Sequence, residues 1–480
     1  MLYRQKYDVF IRHFGDIGYI VNQAMLSDRV VNASGAVFLD AISREAKDID
    51  SIVSEIASKF YDPPDGLKED IISFYKILED DGFLISGQTI EELDEKDKHF
   101  SYQLKGRKTD KRDFTPAILR NSQDSQEYLT EHFKETPQLL SLQMEITSQC
   151  NERCVHCYIP HEKKTDVMSM QLYKSVIDQA SEMGLLLLTL SGGEPMSHEH
   201  FIEMLQYAKT KDISVSILSN LTLLTDEIID VLKTMHISVI KVSLYSLDPE
   251  IHDSITQLPG SQKKTLSAIE RLIEADIPVQ INCPVMKENK NSLDSVIKWA
   301  AEHKIRAISD YIMMARYDHT TDNLEHRLGL DDVERLIQNV IEGDSEYRKH
   351  IETTDINEVL TKDISDEPIC GVCISSICMV SNGNMYPCAG WQDRVLGNVA
   401  EQSLKDIWLY SKEVNYLRSI RKKHFPECLS CEDRAFCAMC MVRNANESPT
   451  GDPTELNKHF CKVAAINHEL VCKWRESHGL

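Results

Sequence analysis

Between residues 142 and 313, short apolar runs alternate with amphipathic helical segments, and this alternation restricts the fold more than any other feature of the chain. The runs are LQMEIT (142–147), LLLLTL (185–190), SVSILS (214–219), SVIKVSL (238–244), VQINCPV (279–285) and a weaker AISDYIM (307–313). Helical spacing of apolar residues fills the gaps at 170–183, 199–209, 226–235, 265–274 and 293–302. Strands separated by helices pair in parallel through right-handed crossovers. Six such units predict an α/β fold, a partial (β/α)6 barrel whose functional groups gather at the carboxyl ends of its strands.

A chain of 480 residues exceeds one core of usual size. Residues 1–90 read as a small α+β, winged-helix-like unit: two β-rich runs around Gly15-Asp16 and helical periodicity at 34–42, 49–60 and 67–84. Residues 91–137 carry charge runs and one short helix near 126–133, and read as a charged linker. The barrel core spans 138–345 and a bridging segment 346–369. Residues 370–480 are dense in Cys, Gly and Pro, and a loop-rich region of this kind needs something besides a hydrophobic core to hold it.

Acidic residues (76) outnumber basic ones (53), for a net charge of -23. Such a field repels a phosphate backbone, which argues against a nucleic-acid partner. The opening MLYRQKYDVF has no apolar signal region, and no stretch approaches a membrane span. The expectation is a cytoplasmic protein with no membrane contact.

Of 14 cysteines, 11 fall in two compact groups, while Cys283, Cys461 and Cys472 stand apart. Grouped cysteines in a reducing compartment serve metals or clusters rather than disulfides. The first group, Cys150-x3-Cys154-x2-Cys157-Tyr158, follows the first barrel strand. Three thiolates on one tight loop hold three irons of a [4Fe–4S] cube and leave the fourth open; zinc with His156 or His161 as a remote ligand is the alternative. Ser191-Gly192-Gly193-Glu194-Pro195 follows the second strand. Its glycines let backbone approach a ligand closely, and its carboxylate can take an ammonium. The second group runs Cys370-x2-Cys373-x4-Cys378-x4-Gly383-x4-Cys388, then Cys428-x2-Cys431-x5-Cys437-x2-Cys440, then Cys461. Two structural zinc sites are the alternative for it. Cys283, on a strand, and Cys472, in a terminal helix, read as buried, inert thiols.

The CxxxCxxC loop, the GGEP segment and the strand-end Ser243 in VSLYSLDPEIHDSI resemble the radical S-adenosylmethionine (SAM) superfamily over residues 140–345. The resemblance implies that Cys150, Cys154 and Cys157 carry the catalytic cluster, and that Tyr158, Gly192, Gly193, Glu194, Pro195 and Ser243 bind SAM. It also implies reductive cleavage of SAM to a 5'-deoxyadenosyl radical. Asn220 stands where many relatives have Asn-Gly, with Leu221 in place of the glycine. The second group resembles the SPASM domain, apart from two residues instead of three between Cys437 and Cys440. That family places Cys370, Cys378, Cys388 and Cys440 on a first auxiliary cluster, with Cys373 competing with Cys370, and Cys428, Cys431, Cys437 and Cys461 on a second. The cofactors implied are three [4Fe–4S] clusters and SAM.

Residues 1–90 resemble, in length, element order and position, the PqqD-like elements that bind leader peptides by adding a strand to a sheet edge. A DNA-binding winged helix would want a basic third helix, whereas LKEDIISFYKILEDDGFL is acidic. The three parts together resemble maturases of ribosomally made peptides, of the sactipeptide and ranthipeptide type. They imply a Cys-rich precursor with a leader sequence as partner, an electron donor such as flavodoxin or ferredoxin, and an oxidative thioether crosslink as product. Carbon–carbon crosslinking and formylglycine maturation stay open beside it.

Overall fold

The computed structural model describes all residues except 26, 98–124, 126, 127 and 236, so the charged linker lies largely outside the described residues. In the N-terminal part, β1 (Leu2–Gln5), β2 (Val9–Phe14), β3 (Ile17–Asn22), β4 (Ser27–Val31), β5 (Lys47–Asp48) and β6 (Leu84–Gly87) form two antiparallel sheets, ordered β5-β1-β6 and β2-β3-β4. Gly15, at φ +64°, makes the tight turn that pairs Phe14 with Ile17. Helices Ala33–Asp40 and Ile49–Ala57 start at Asn32 and Asp48, whose side chains accept from the first free backbone N–H groups. Helix Leu67–Asp80 packs with them around Ile52, Ile56, Ile71, Tyr75 and Phe83. Helix Ile90–Lys96 is tied to this unit, because buried Arg4 reaches Asp94 at 3.0 Å and Asp97 at 2.6 Å.

The N-terminal unit is docked on the barrel. Phe10, Phe14, Ile17 and Tyr19 share one apolar cluster with Phe133, Leu140 and Leu186. A Cβ on Gly184 would come within 2.9 Å of the Phe14 ring, so the missing side chain makes the seat for that ring. Arg44 adds two hydrogen bonds of 2.7 Å to Asp212.

All six expected barrel strands form: β7 (Ser141–Thr147), β8 (Leu187–Gly192), β9 (Ser214–Ser219), β10 (Ile237–Ser243), β11 (Val279–Pro284) and β12 (Arg306–Asp310), every neighbour pair parallel. Gly184 and Leu186 precede β8, and Asp212 precedes β9, so the N-terminal unit sits at the amino ends of the strands. Leu142, Met144, Leu188, Ile217, Ile240, Val242 and Ile281 face the helices in the main core. The alternate residues fall on the concave face, where polar Gln143, Thr189, Lys241, Ser243, Gln280 and Asn282 sit among Leu218, Val239 and Ile308. A closed (β/α)8 barrel fills that interior with branched apolar layers; here polar side chains take much of it.

The sheet does not stop at β7. Strand β13 (Ser376–Val380) pairs with β7 in parallel, followed by β14 (Asn384–Tyr386) and β15 (Gly397–Asn398), to give nine strands ordered β12-β11-β10-β9-β8-β7-β13-β14-β15. The Cys-dense region, expected to need something besides a hydrophobic core, has an apolar one as well. It shares the barrel's core, through Ile377, Met379, Met385, Trp391, Ile407 and Trp408. It also holds helices Leu404–Tyr410, Lys412–Ser419 and Lys458–Ser477, where little periodicity was evident. Cys283 is fully buried in β11 as expected, but Cys472 is only partly buried on the last helix. No helix among the described residues is long and apolar enough to cross a membrane.

Candidate active site

The loop that bears Cys150, Cys154 and Cys157 leaves the carboxyl end of β7 and is gripped from three neighbouring strand ends. At β8, Gly193 N–H donates to Thr147 O and Glu194 N–H to Gln149 O, each at 2.8 Å. At β9, the Asn220 side chain donates to Asn151 Oδ1 at 3.0 Å. Beyond β10, Arg153 and Val155 N–H donate to Thr256 and Ile255 O, each at 3.0 Å, on helix Pro249–Thr256.

The glycines of the GGEP segment let the cysteine loop's own backbone come close: a Cβ on Gly192 would lie 2.0 Å from Thr147 O, and one on Gly193 2.2 Å from Gln149 O. Glu194 is fully buried, and its carboxylate accepts from Met196 N–H (3.0 Å), the Ser219 hydroxyl (2.8 Å) and Asn220 N–H (2.8 Å). Burial pushes its pKa up to about 7. Its oxygens are thus engaged inside the protein and brace β8 against β9. Leu221, which stands in the place of a glycine, holds a left-handed φ of +61° while fully inside the core, so the backbone keeps the bend that glycine would make.

Within the loop, the Cys154 thiol donates to Glu152 at 3.3 Å, and the other Glu152 oxygen is buried with no partner. Burial pushes the Glu152 carboxyl up to about 7 and the Cys150 thiol up to about 12, and raises Cys154 well above its ordinary range. Thiols this desolvated become thiolates only beside compensating positive charge, such as iron. Ser243 lies at the end of β10 within hydrogen-bonding reach of the Tyr245 hydroxyl, which also meets His156 Nε2 at 3.3 Å.

Tyr158 turns away from that loop. Its ring packs with Cys378, Tyr386 and Ala389, and its hydroxyl donates to Glu145 at 2.7 Å. The other Glu145 oxygen accepts from the Gln392 side chain at 2.9 Å. Glu145 and Gln392 were not singled out from sequence, although a charged residue inside the apolar run LQMEIT was a visible signal.

The second cysteine group divides into two sets by the charges that reach each thiol. Cys370 is raised to about 11 by burial and by Cys440 and Cys388, and Cys378 is raised by burial, Glu145 and Cys388. Cys373 is reached by Cys370 but by neither Cys388 nor Cys440, and lies fully buried in the core at φ +59°, with its carbonyl accepting from Arg418 at 2.7 Å. In the other set, Cys428 is raised to about 11 by burial and by Cys437, Cys461 and Cys431. Phe425, Cys428, Cys437, Cys440, Phe460 and Cys461 line one cavity, and burial raises the Cys437 thiol against the opposing pull of Arg443, which stacks 4.4 Å over Phe460. Among the described residues, no three His, Cys, Asp or Glu side chains close around a single-ion position.

Residues 144–300 match the family model of the radical SAM superfamily, and residues 370–432 that of the SPASM iron–sulfur cluster-binding domain. The chain carries a radical SAM domain followed by a SPASM domain. These domains bring a [4Fe–4S] cluster with SAM, and auxiliary clusters; the desolvated thiols and the unpartnered Glu152 oxygen fit such groups. The chain is similar to an AdoMet-dependent heme synthase of Methanosarcina barkeri, 28% identical over 65% of this chain and 93% of that protein. It is also similar to the antilisterial bacteriocin subtilosin biosynthesis protein AlbA of Bacillus subtilis, 25% identical over 72% of this chain and 73% of that one. The fold resembles Streptococcus suis SuiB bound to precursor peptide SuiA, with a TM-score of 0.61 and 16% identity over 95% of this chain and 99% of that one.

Proposed function

We propose that this chain is a cytoplasmic peptide maturase that removes a hydrogen atom from a ribosomally made precursor and closes a cysteine thioether. Cys150, Cys154 and Cys157 would hold the catalytic cluster, with Tyr158, Gly192, Gly193, Glu194, Pro195 and Ser243 shaping the SAM site. Cys370, Cys378, Cys388 and Cys440 would hold the first auxiliary cluster, and Cys428, Cys431, Cys437 and Cys461 the second. When bound, these groups supply one-electron chemistry: reductive cleavage of SAM, hydrogen removal, and an acceptor for the electron that the product gives up. An external donor such as flavodoxin or ferredoxin would start the cycle.

The protein's own residues bind and orient. Glu194 and Asn220 fix the cysteine loop against β8 and β9. Tyr158 and Glu145 fix its far end to the SPASM loop after Cys388. The N-terminal unit, a PqqD-like element on this reading, would take the leader as an added strand on the free edge of β4.

The observation that carries the reading is the docked N-terminal unit. The likeness to the heme synthase spans 65% of the chain, whereas the fold likeness to SuiB, whose structure holds a precursor peptide, spans 95%. A peptide substrate gives such a unit a purpose. The test is co-production with a short Cys-rich peptide encoded beside it. Each crosslink forms one S–C bond and breaks one S–H and one C–H bond, so the peptide should lose about two hydrogens per event. The modified cysteine should resist alkylation. A free cysteine in a peptide lighter by two hydrogens would favour a carbon–carbon bond, and a heavier product would overturn the proposal.

A further inference from the structure

Level with Glu145, the concave face of the barrel carries further residues that the proposed chemistry does not use. Strand register places Glu145 opposite Ser191, Leu218 opposite Lys241, Lys241 opposite Gln280, and Gln280 opposite Arg306. Ile240 and Val242 belong to the helix-facing core, and Ala307 packs against it, so Lys241 and Arg306 project to the other, concave side. Strands lie about 4.8 Å apart, which puts these two cations about 10 Å apart, flanking Gln280. Lys241 sits two residues short of Ser243, about 7 Å deeper in the barrel than the strand ends.

No carboxylate among the described residues forms an ion pair with either. Among the described residues, Arg306 is the one charge that acts on Lys241, and together with burial it holds the lysine below its ordinary pKa. The one acid at this level, Glu145, is taken by Tyr158 and Gln392. An unmatched, half-buried lysine beside an arginine is costly in any protein and runs against the sign of this one, at net -23.

We infer that Lys241 and Arg306, with Gln280 between them, form a carboxylate-binding site on the concave face of the barrel that anchors an acidic group of the substrate. Gln280 donates to Asn282 at 2.9 Å, which fixes its side chain towards the strand ends. An anion bound there would hold the substrate on the barrel floor, beneath the level of Ser243. The peptide form of this inference rests on the proposed function; the carboxylate site itself does not.

The test is equilibrium dialysis of the cluster-loaded, SAM-bound protein against three probes: N-acetyl-Ala-Asp-Ala-amide, its Asn counterpart, and glutarate. The Asp peptide and glutarate should bind, with the Asn peptide about ten-fold weaker. Lys241→Met should erase that preference, Lys241→Arg should keep most of it, and Arg306→Gln, on the exposed edge strand, should weaken it in part. Glutarate binding that disappears in Lys241→Met, with no binding of either peptide, would keep the site and discard the peptide substrate. Equal binding of the Asp and Asn peptides, no binding of any probe, or a loss of SAM affinity in Lys241→Met equal to the loss of probe affinity, would overturn the inference.

Discussion

The Tyr158 hydroxyl donates to the buried Glu145 carboxylate at 2.7 Å, and through Glu145 the cysteine loop is joined to Gln392 of the SPASM domain. Glu145→Ala leaves the enclosed Tyr158 hydroxyl without its acceptor, at a cost of about 1–3 kcal/mol, and takes one of the two acceptors of the Gln392 amide, which keeps Ala389 O at 2.9 Å, whereas Tyr158→Phe removes a single bond. Glu145→Ala should therefore lower Tm more than Tyr158→Phe. Iron analysis should show its loss falling on the SPASM domain, because Cys378 lies on the strand beside Glu145.

The closeness of two loops makes Gly193 irreplaceable. A Cβ there would meet the backbone of Gln149 and Ser148 within 2.5 Å, and backbone cannot swing aside as a side chain can. Gly193→Ala should displace the cysteine loop, lose about a third of the iron and abolish SAM cleavage, while the SPASM iron stays. Wild-type SAM turnover in this variant would contradict the close approach.

Cluster stoichiometry follows from the thiol sets. The reconstituted protein should hold about twelve irons, and the variant with Cys150, Cys154 and Cys157 all changed to Ala about two-thirds of that, with no SAM cleavage. Cys370→Ala should lose the first auxiliary cluster and Cys373→Ala should keep it, since Cys370 lies beside Cys388 and Cys440 while Cys373 is enclosed in the core. Zinc in place of iron would end the cluster assignment.

Acid should weaken the fold through His252. Burial drops its pKa to about 4, and its Nδ1 accepts from Tyr245 N–H. A histidine depressed below its unfolded value adds stability above that value, and the stability is lost as pH falls towards the folded one. Between pH 7 and pH 5 the unfolded chain gains a proton that the native state refuses, which costs about 2 kcal/mol. Urea unfolding at the two pH values should show His252→Asn losing less stability than the wild type by about that amount.

Local pattern determined the barrel. LQMEIT and SVSILS alternate side chains between two faces, the intervening segments repeat at helical spacing, and the cysteine and GGEP motifs follow the first and second runs, so strands, helices and the end that bears the site were all legible. The cofactors were legible for the same reason, since CxxxCxxC places three thiols on one loop. What depends on atoms distant in sequence was not. Spacing offered both Cys370 and Cys373, and only the folded chain puts one beside Cys388 and Cys440 and the other into the core. GGEP carried no sign that Glu194 also meets Ser219 and Asn220, or that its glycines let Thr147 and Gln149 come close. The pairing of β13 with β7, which merges the Cys-dense region into the barrel's sheet and core, joins strands more than 200 residues apart by backbone hydrogen bonds that carry no sequence signature. The polar residues of the inner face and its cations likewise emerge only when parallel strands are set in register, because register is decided by packing of the whole sheet and not within any one strand.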